Sequence, residues 1–275
     1  NEKPDFIYHL AAQSFPLASF DMAESTFNTN INGTYNLLNS IKDSNIKPWI
    51  HICSSSEIFG KVDKKNIPIK ETTNYHPASP YAISKVGTDL ISRFFFEAYN
   101  LKTLTTRMFT HTGPRRGDYF AESSFAKQIA MIERKIIPPT IKVGNLKSLR
   151  TYSDVRDAVR AYYMLLNKRP RAGQFYNIGS NKNLNNLQVS KELIKVSKNI
   201  IKLGKKVKII FVKDRPGHDF RYALNSKKIF KKLKWKAKIK LDYGLTETIK
   251  WYANNKIFLK DISKNMYEKR LGLKL

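Results

Sequence analysis

The sequence predicts an α/β fold: a parallel sheet covered by helices on both faces. Two patterns carry this. Short apolar runs rich in aromatic and β-branched residues alternate along the chain with longer segments of helical period. Three of those runs end directly in small or polar segments, at residues 11–14, 54–57 and 110–116. In a parallel sheet such segments share the carboxyl rim, where ligands bind. The 275 residues, 41% of them apolar, suffice for one large or two modest domains with a sizeable core.

Phe6-Ile7-Tyr8-His9-Leu10 reads as a buried strand with His9 packed at its end. Residues 30–41 carry a helical period through Ile31, Tyr35, Leu37, Leu38 and Ile41. Trp49-Ile50-His51-Ile52-Cys53 is a second strand, and Cys53, closing an apolar run, is expected in the core. Residues 81–99 form a long helix, 103–109 a third strand, and 120–134 and 154–166 further helices. Phe175-Tyr176-Asn177-Ile178-Gly179 is a short strand entering a turn. Residues 189–201 are helical, 207–212 a strand and 245–254 a helix; residues 254–275 read as a basic tail.

Composition narrows the function. No apolar run approaches the roughly 18–20 residues of a membrane span, and Asn1-Glu2-Lys3-Pro4-Asp5 is not a signal peptide. A single cysteine rules out an internal disulfide framework and suits a reducing, cytoplasmic setting. Five scattered histidines without a cysteine or carboxylate cluster argue against a metal site. The net charge of +28 is densest between residues 191 and 240. That stretch lacks a nucleic-acid motif, so it reads as solvated lysine faces in a Lys-, Asn- and Ile-rich chain, useful at most for attracting a phosphate-bearing substrate.

The chemistry is densest around Tyr81-Ala82-Ile83-Ser84-Lys85. A Tyr and a Lys four apart share one helix face. Ser79 suits a cap and Pro80 the first helical position, so both fall in the first turns, where the dipole is positive. A tyrosine hydroxyl has a pKa of about 10. A nearby ammonium and a helix N-terminus favour the phenolate, so Tyr81 is expected to act as a base near neutral pH. The same pair also occurs on helices where the tyrosine packs and the lysine is solvated. The surroundings decide between the two.

Those surroundings are His9-Leu10-Ala11-Ala12-Gln13-Ser14, Asn30-Ile31-Asn32-Gly33-Thr34, Ser54-Ser55-Ser56-Glu57-Ile58-Phe59-Gly60 and Ser79-Pro80-Tyr81-Ala82 with Lys85. Together they resemble the extended short-chain dehydrogenase/reductase family, in its nucleotide-sugar-modifying branch, over about residues 5–254. Gly60-Lys61-Val62, Lys70-Glu71-Thr72-Thr73, Pro114-Arg115-Arg116-Gly117 and Gly144-Asn145-Leu146 are similar to GDP-mannose 4,6-dehydratases. Asp214-Arg215-Pro216-Gly217-His218-Asp219 is similar instead to dTDP-glucose 4,6-dehydratases. Arg150 with Asp154-Val155-Arg156-Asp157 resembles GDP-4-keto-6-deoxymannose reductases.

The resemblance implies a Rossmann-like domain from residues 1–112 and 145–180, with a smaller substrate lobe from 113–144 and 181–253. It implies NAD or NADP as cofactor, a nucleotide-sugar substrate, and a homo-oligomer, dimer or tetramer, away from membranes and nucleic acid. Tyr81, Lys85, Ser55 and Glu57 match the catalytic positions. Elimination needs a second acid/base beside the redox tyrosine, and Glu57 would supply it; otherwise Glu57 is an ordinary exposed carboxylate at a strand end. Leu10, Ala11, Ala12, Ser14, Ser54, Tyr81, Lys85, His111 and Arg116 match cofactor contacts. Asn145, Arg150, Asn177, Arg215 and His218 match the substrate-binding region. Arg115 reads equally as a phosphate ligand or a solvated loop charge.

Departures from the pattern qualify this. Ser55 stands where these dehydratases carry Thr, Thr110 where Asn is expected, Ser25 where a cofactor-facing Tyr is expected, and Ser123-Ser124 where a basic pair is expected. The last three weaken a GDP-mannose assignment more than they do the reaction type. No Gly-x-x-Gly-x-x-Gly precedes His9. The chain therefore reads as a member lacking its first three strands, so that on its own it is expected to bind NAD(P) weakly and not to turn over. A 4-ketosugar reductase or epimerase on the same scaffold, or a non-catalytic fragment, are the alternatives.

Overall fold

Four strands, Phe6–His9, Trp49–Ser55, Lys102–Met108 and Gln174–Ile178, pair in that order into a wholly parallel sheet in the computed structural model. The structure describes residues 2–118, 120–144, 149–180, 183–198, 207–211 and 223–260. Alternation along Trp49–Ser55 decides which side chains meet which layer. Ile50 and Ile52 pack with Leu38, Ile41 and Phe95 from the Gly33–Asp43 and Pro80–Tyr99 helices on one face. Their neighbour His51 turns the other way and stacks on Tyr162 of the Val155–Lys168 helix, ring centroids 4.2 Å apart. Burying each such aliphatic side chain stabilises the fold by roughly 1.5–3 kcal/mol. Phe6–His9 and Gln174–Ile178 are the edge strands of this sheet among the described residues.

The helix expected at 30–41 is more elaborate. An Ala23–Phe27 helix passes through a π-helical turn, Asn28–Asn32, into Gly33–Asp43. The reason lies at Asn30, whose carbonyl accepts from both Thr34 Oγ1 (2.6 Å) and Thr88 Oγ1 (3.2 Å). Such side-chain bonds compete with the regular helical ladder, which the π-turn interrupts at this point. The Asn30 side chain is equally committed. It accepts from the Gln13 N–H (2.8 Å) and donates to the Gln13 carbonyl (3.0 Å) and Ser84 Oγ (2.8 Å). It thereby ties the segment after the first strand to the Tyr81 helix.

A second core gathers the Ala121–Glu133, Asn186–Ser197 and Leu241–Asn254 helices beside a parallel pair, Thr140–Val143 with Lys208–Phe211. Three segments differ from the sequence expectation. The Lys227–Leu233 helix and Trp235, expected in this second region, place Ile229, Leu233 and Trp235 in the core beneath the sheet with Leu104, Leu165 and Tyr176. The expected basic tail opens with another helix, Lys256–Lys260, whose Leu259 is buried in the second core. The Leu241–Asn254 helix also starts four residues earlier than its apolar period suggested, because Leu241 is itself buried.

One glycine is dictated by close approach. Gly60 has φ +50°, and a Cβ there would lie 1.6 Å from the His76 carbonyl oxygen. It lets the chain leave the Ser56–Phe59 turn towards the Tyr81 helix. Behind that turn, Arg107 is fully buried. It donates to both Asp89 carboxylate oxygens (2.8 and 3.0 Å), the Glu71 carbonyl (2.7 Å) and the Tyr75 hydroxyl, and stacks 4.1 Å from the Phe175 ring. Among the described residues no helix is long and apolar enough to cross a membrane, and no His, Cys, Asp and Glu group could hold a metal ion.

Candidate active site

The carboxyl ends of the first three strands open into a cleft of about 520 Å³. Its walls are built as the chain leaves each strand. Leu10, Ala12 and Ser14 follow the first; Cys53 to Glu57 close the second; Met108 to Gly117 follow the third. Tyr81 and Lys85 enter from the long helix, and Val155, Val159 and Tyr162 from the helix on the opposite face.

Local chemistry fixes the helix carrying Tyr81. Ser79 caps it, its Oγ accepting from the Ala82 N–H at 3.1 Å, and Pro80 occupies the first position. The Tyr81 N–H donates to Ser19 Oγ at 3.0 Å, so this end is also held by the segment after the first strand. Ser55 turns the chain out of its strand by accepting from the Glu57 N–H at 3.2 Å. Glu57 is left half-buried on the cleft wall. Lys85 is 5% exposed, and its Nζ donates to the Cys53 carbonyl at 2.9 Å.

The electrostatics differ from the sequence expectation. Tyr81 was expected to be pulled towards the phenolate. Instead burial drives its pKa well above the usual tyrosine range. A hydrogen bond with Ser55 and the charge of Arg116 pull the other way, and nearby Cys53 and Glu57 add to the rise. The Lys85 ammonium stands 6.0 Å from the Tyr81 ring centre and is itself held down by burial, with Cys53 opposing. Tyr81 is therefore a neutral phenol here. The helix N-terminus and lysine do not offset the loss of water.

His111 Nδ1 lies 3.1 Å from the Phe109 carbonyl. Burial first, then the Arg116 charge, push its pKa down to about 4, with that carbonyl opposing. Arg116 pairs with Glu122, donates to the His111 carbonyl and stacks 4.0 Å over the Phe120 ring. Thr112 Oγ1 is buried in the wall with no hydrogen-bond partner among the described residues.

Of the predicted residues, Tyr81, Lys85, Ser55, Glu57, Leu10, Ala12, Ser14, Ser54, His111 and Arg116 all line the cleft. Ala11 does not; it is exposed beside it. Asn177 is also placed elsewhere. It is fully buried within the Gln174–Ile178 strand, donating from its side chain to the Ile69 carbonyl (3.3 Å) and from its N–H to Glu71 Oε1 (3.1 Å). Arg150 sits half-buried on the Leu149–Thr151 strand, outside the cleft wall, with Nη1 on the Leu149 carbonyl at 3.2 Å. Asn145, Arg215 and His218 lie outside the described residues.

Sequence reasoning missed Tyr162 and misplaced Cys53. Cys53 is half-buried and lines the cleft, its Sγ 3.7 Å from the Tyr162 hydroxyl. Strict alternation from inward-facing Ile50 and Ile52 would have turned Cys53 to the Tyr162 side. Cys53 and Tyr162 form the floor beside Tyr81, and burial and the Cys53 neighbour both hold the Tyr162 hydroxyl protonated.

Comparison with known proteins shows the family and the fold. The family model for GDP-mannose 4,6 dehydratase matches residues 1–248. The dTDP-glucose 4,6-dehydratase of Haemophilus influenzae is 34% identical over 92% of this chain and 77% of its own length. That of Escherichia coli is 31% identical over 99% of this chain and 80% of its own. Among solved structures, RMD from Pseudomonas aeruginosa in complex with NADPH superimposes with a TM-score of 0.86 at 26% identity, over 92% of this chain and 83% of that one. DesIV, a dTDP-glucose 4,6-dehydratase from Streptomyces venezuelae with NAD bound, gives 0.81 at 28% identity over 93% and 75%. The cleft suits such a cofactor: small residues Ala12, Ser14 and Ser54, an enclosed ammonium at Lys85 and the unpartnered Thr112 hydroxyl fit the nicotinamide and ribose of NAD or NADP. The chain belongs to the GDP-mannose 4,6-dehydratase family, the nucleotide-sugar 4,6-dehydratase branch of the extended short-chain dehydrogenases/reductases.

Proposed function

We propose that this protein dehydrates a nucleotide-linked hexose to its 4-keto-6-deoxy form, with Tyr81, Lys85, Ser55 and Glu57 as the working groups. The observation that carries this is the sharing of one cleft by Tyr81 and Glu57. A dehydratase needs two acid/base groups: one at the C4 hydroxyl, one at C5 and C6. A 4-ketosugar reductase or epimerase needs only the first.

The nicotinamide group, when bound, supplies the acceptor and donor of hydride. Tyr81, once its own proton has passed to solvent, would take the proton of the C4 hydroxyl as the phenolate, and Ser55 would hydrogen-bond the same oxygen. Lys85, held by the Cys53 carbonyl, supports the tyrosine's charge and binds the cofactor ribose. The C4 ketone acidifies the C5–H bond. Glu57 would remove that proton and pass it to the C6 hydroxyl, which leaves as water; the C5–C6 double bond left behind would take back the hydride at C6 and a solvent proton at C5, giving the 6-deoxy sugar. Arg116 and His111 line the same cleft, and they would face the cofactor.

For the substrate, the curated relatives favour dTDP-glucose. GDP-mannose is the second reading, favoured by the family model and by Pro114-Arg115-Arg116-Gly117 on the cleft wall. Incubation with each nucleotide sugar and NAD or NADP tests both. The expected product has lost one water and carries solvent deuterium at C5. Epimerisation at C4 without loss of water would return the reading to the epimerase.

A further inference from the structure

A second concavity, about 620 Å³, opens at the opposite edge of the sheet. It is formed where the Val155–Lys168 and Lys227–Leu233 helices both end beside Gln174, the first residue of its strand. Each helix stops in a left-handed basic residue: Arg169 at φ +46° and Lys234 at φ +56°. Lys168, Arg171, Lys232 and Lys234 line the concavity, and among the described residues no acidic one does. All four are exposed, and among the described residues none is paired with a carboxylate. A fifth cation, Lys228, stands just behind. It donates to the Phe175 carbonyl at 2.7 Å and lies 4.9 Å from the ring of Tyr176, a lining residue.

Helix C-termini attract cations, so part of this charge is structural. The size of that part can be set. Each C-terminus carries about half a negative charge, so two supply about one. Four lining cations leave an excess of about three positive charges, enough for a ligand of similar opposite charge. The volume lies within the roughly 300–1,000 Å³ of small-molecule sites. A single-stranded nucleic acid is a poorer fit, because such binding needs exposed aromatic faces, and among the described residues the one aromatic side chain lining this site, Tyr176, is 1% exposed.

We propose that this concavity binds a compact, multiply charged phosphate, such as a nucleoside or inorganic polyphosphate, at a site separate from the catalytic cleft. Recognition is through the phosphates, by point-charge lysines and the Arg171 fork. The Val155–Lys168 helix runs between the two sites, one end on the cleft wall and the other in the concavity.

Inorganic tripolyphosphate is the test ligand. In lysine acetylation read by mass spectrometry, it should slow modification of Lys168, Lys232 and Lys234, and leave exposed Lys191 and Lys250 unchanged. Titration at low salt should show a loss of at least tenfold in affinity for Lys168→Glu/Lys232→Glu, a variant whose fold is checked by its thermal transition. Inorganic monophosphate should bind at least tenfold more weakly than tripolyphosphate. Equal protection of all exposed lysines, or unchanged affinity in the double variant, would overturn the proposal. So would tighter binding of duplex DNA with increasing length, which would mark a nucleic-acid surface instead.

Discussion

The two edges of one sheet treat charge in opposite ways. At the carboxyl edge, Lys85, Arg116 and His111 are enclosed or partnered, and each contact fixes an orientation. At the amino edge, Lys168, Arg171, Lys232 and Lys234 project from helix ends into water. Burial lowers the proton affinities of Lys85 and His111, as desolvation does in catalytic sites. What the exposed cations attract is governed by salt. The net charge of +28 therefore says little about catalysis, which rests on a few desolvated groups.

The sharpest way to break this contrast is at Tyr81. If the cleft alone holds the chemistry, Tyr81→Phe should lower dehydration by about 100- to 10,000-fold, the usual reach of a general acid/base group. Binding of tripolyphosphate at the amino edge should be unaffected. Product formation measured alongside acetylation at Lys168 reads both. A turnover within a factor of a few of the wild type would remove Tyr81 from the mechanism.

Next comes an enclosed cation with no exposure to either edge. Arg107 and Asp89 are each 1% exposed and bidentately paired. Removing one partner of such a pair costs about 3–5 kcal/mol, because the other charge is stranded. Arg107→Met should reduce unfolding free energy in urea by that order, and Arg107→Met/Asp89→Leu should recover part of it. A loss near zero for the single variant, as expected for an exposed lysine such as Lys232, would erase the distinction between the two kinds of cation.

Glu57 separates the two halves of the proposed reaction. Glu57→Gln should slow water loss by about 100-fold or more while sparing oxidation at C4. Loss of C5 deuterium exchange with continued transient reduction of the cofactor, followed by absorbance, is the expected outcome. Unchanged dehydration would assign the second acid/base role elsewhere.

Much of this was legible in the sequence, because local rules dominated. Alternating strand and helix periods gave the parallel sheet, and Ser79-Pro80 placed the start of the Tyr81 helix at its observed position. Segments following strands lined the cleft because parallel topology leaves them nowhere else to go. What escaped was tertiary. The pKa of Tyr81 depends on how much water its neighbours exclude, which outweighs the helix dipole. Tyr162 reaches the cleft only because its helix crosses behind the second strand. The basic residues near 168–171 and 232–234 are far apart in sequence and meet only where two helices end together. Asn177 looked like a substrate ligand by resemblance, yet a strand position facing Ile69 buries it.

The smallest effect concerns His51, behind the cleft floor. It is fully buried, its Nε2 lies 2.8 Å from Thr106 Oγ1, and its Nδ1 has no partner among the described residues. Burial above all, then the charges of His9 and Lys85, push its pKa down to about 3. A free histidine titrates near 6.5. The native state therefore holds His51 neutral while the unfolded chain takes up a proton as pH falls below about 6.5. Its contribution to stability is complete above that pH and is lost on acidification, at a limiting slope of about 1.4 kcal/mol per pH unit, until the native pKa is passed. His111, with its pKa down to about 4, has the same sign. Urea unfolding between pH 7 and 5 should thus show stability falling with acidity. His51→Gln should make that fall shallower, whatever constant offset the substitution adds. An unchanged slope would mean that His51 is hydrated in solution, and that the floor beneath Tyr81 is not the dry layer which separates the catalytic edge of the sheet from the other.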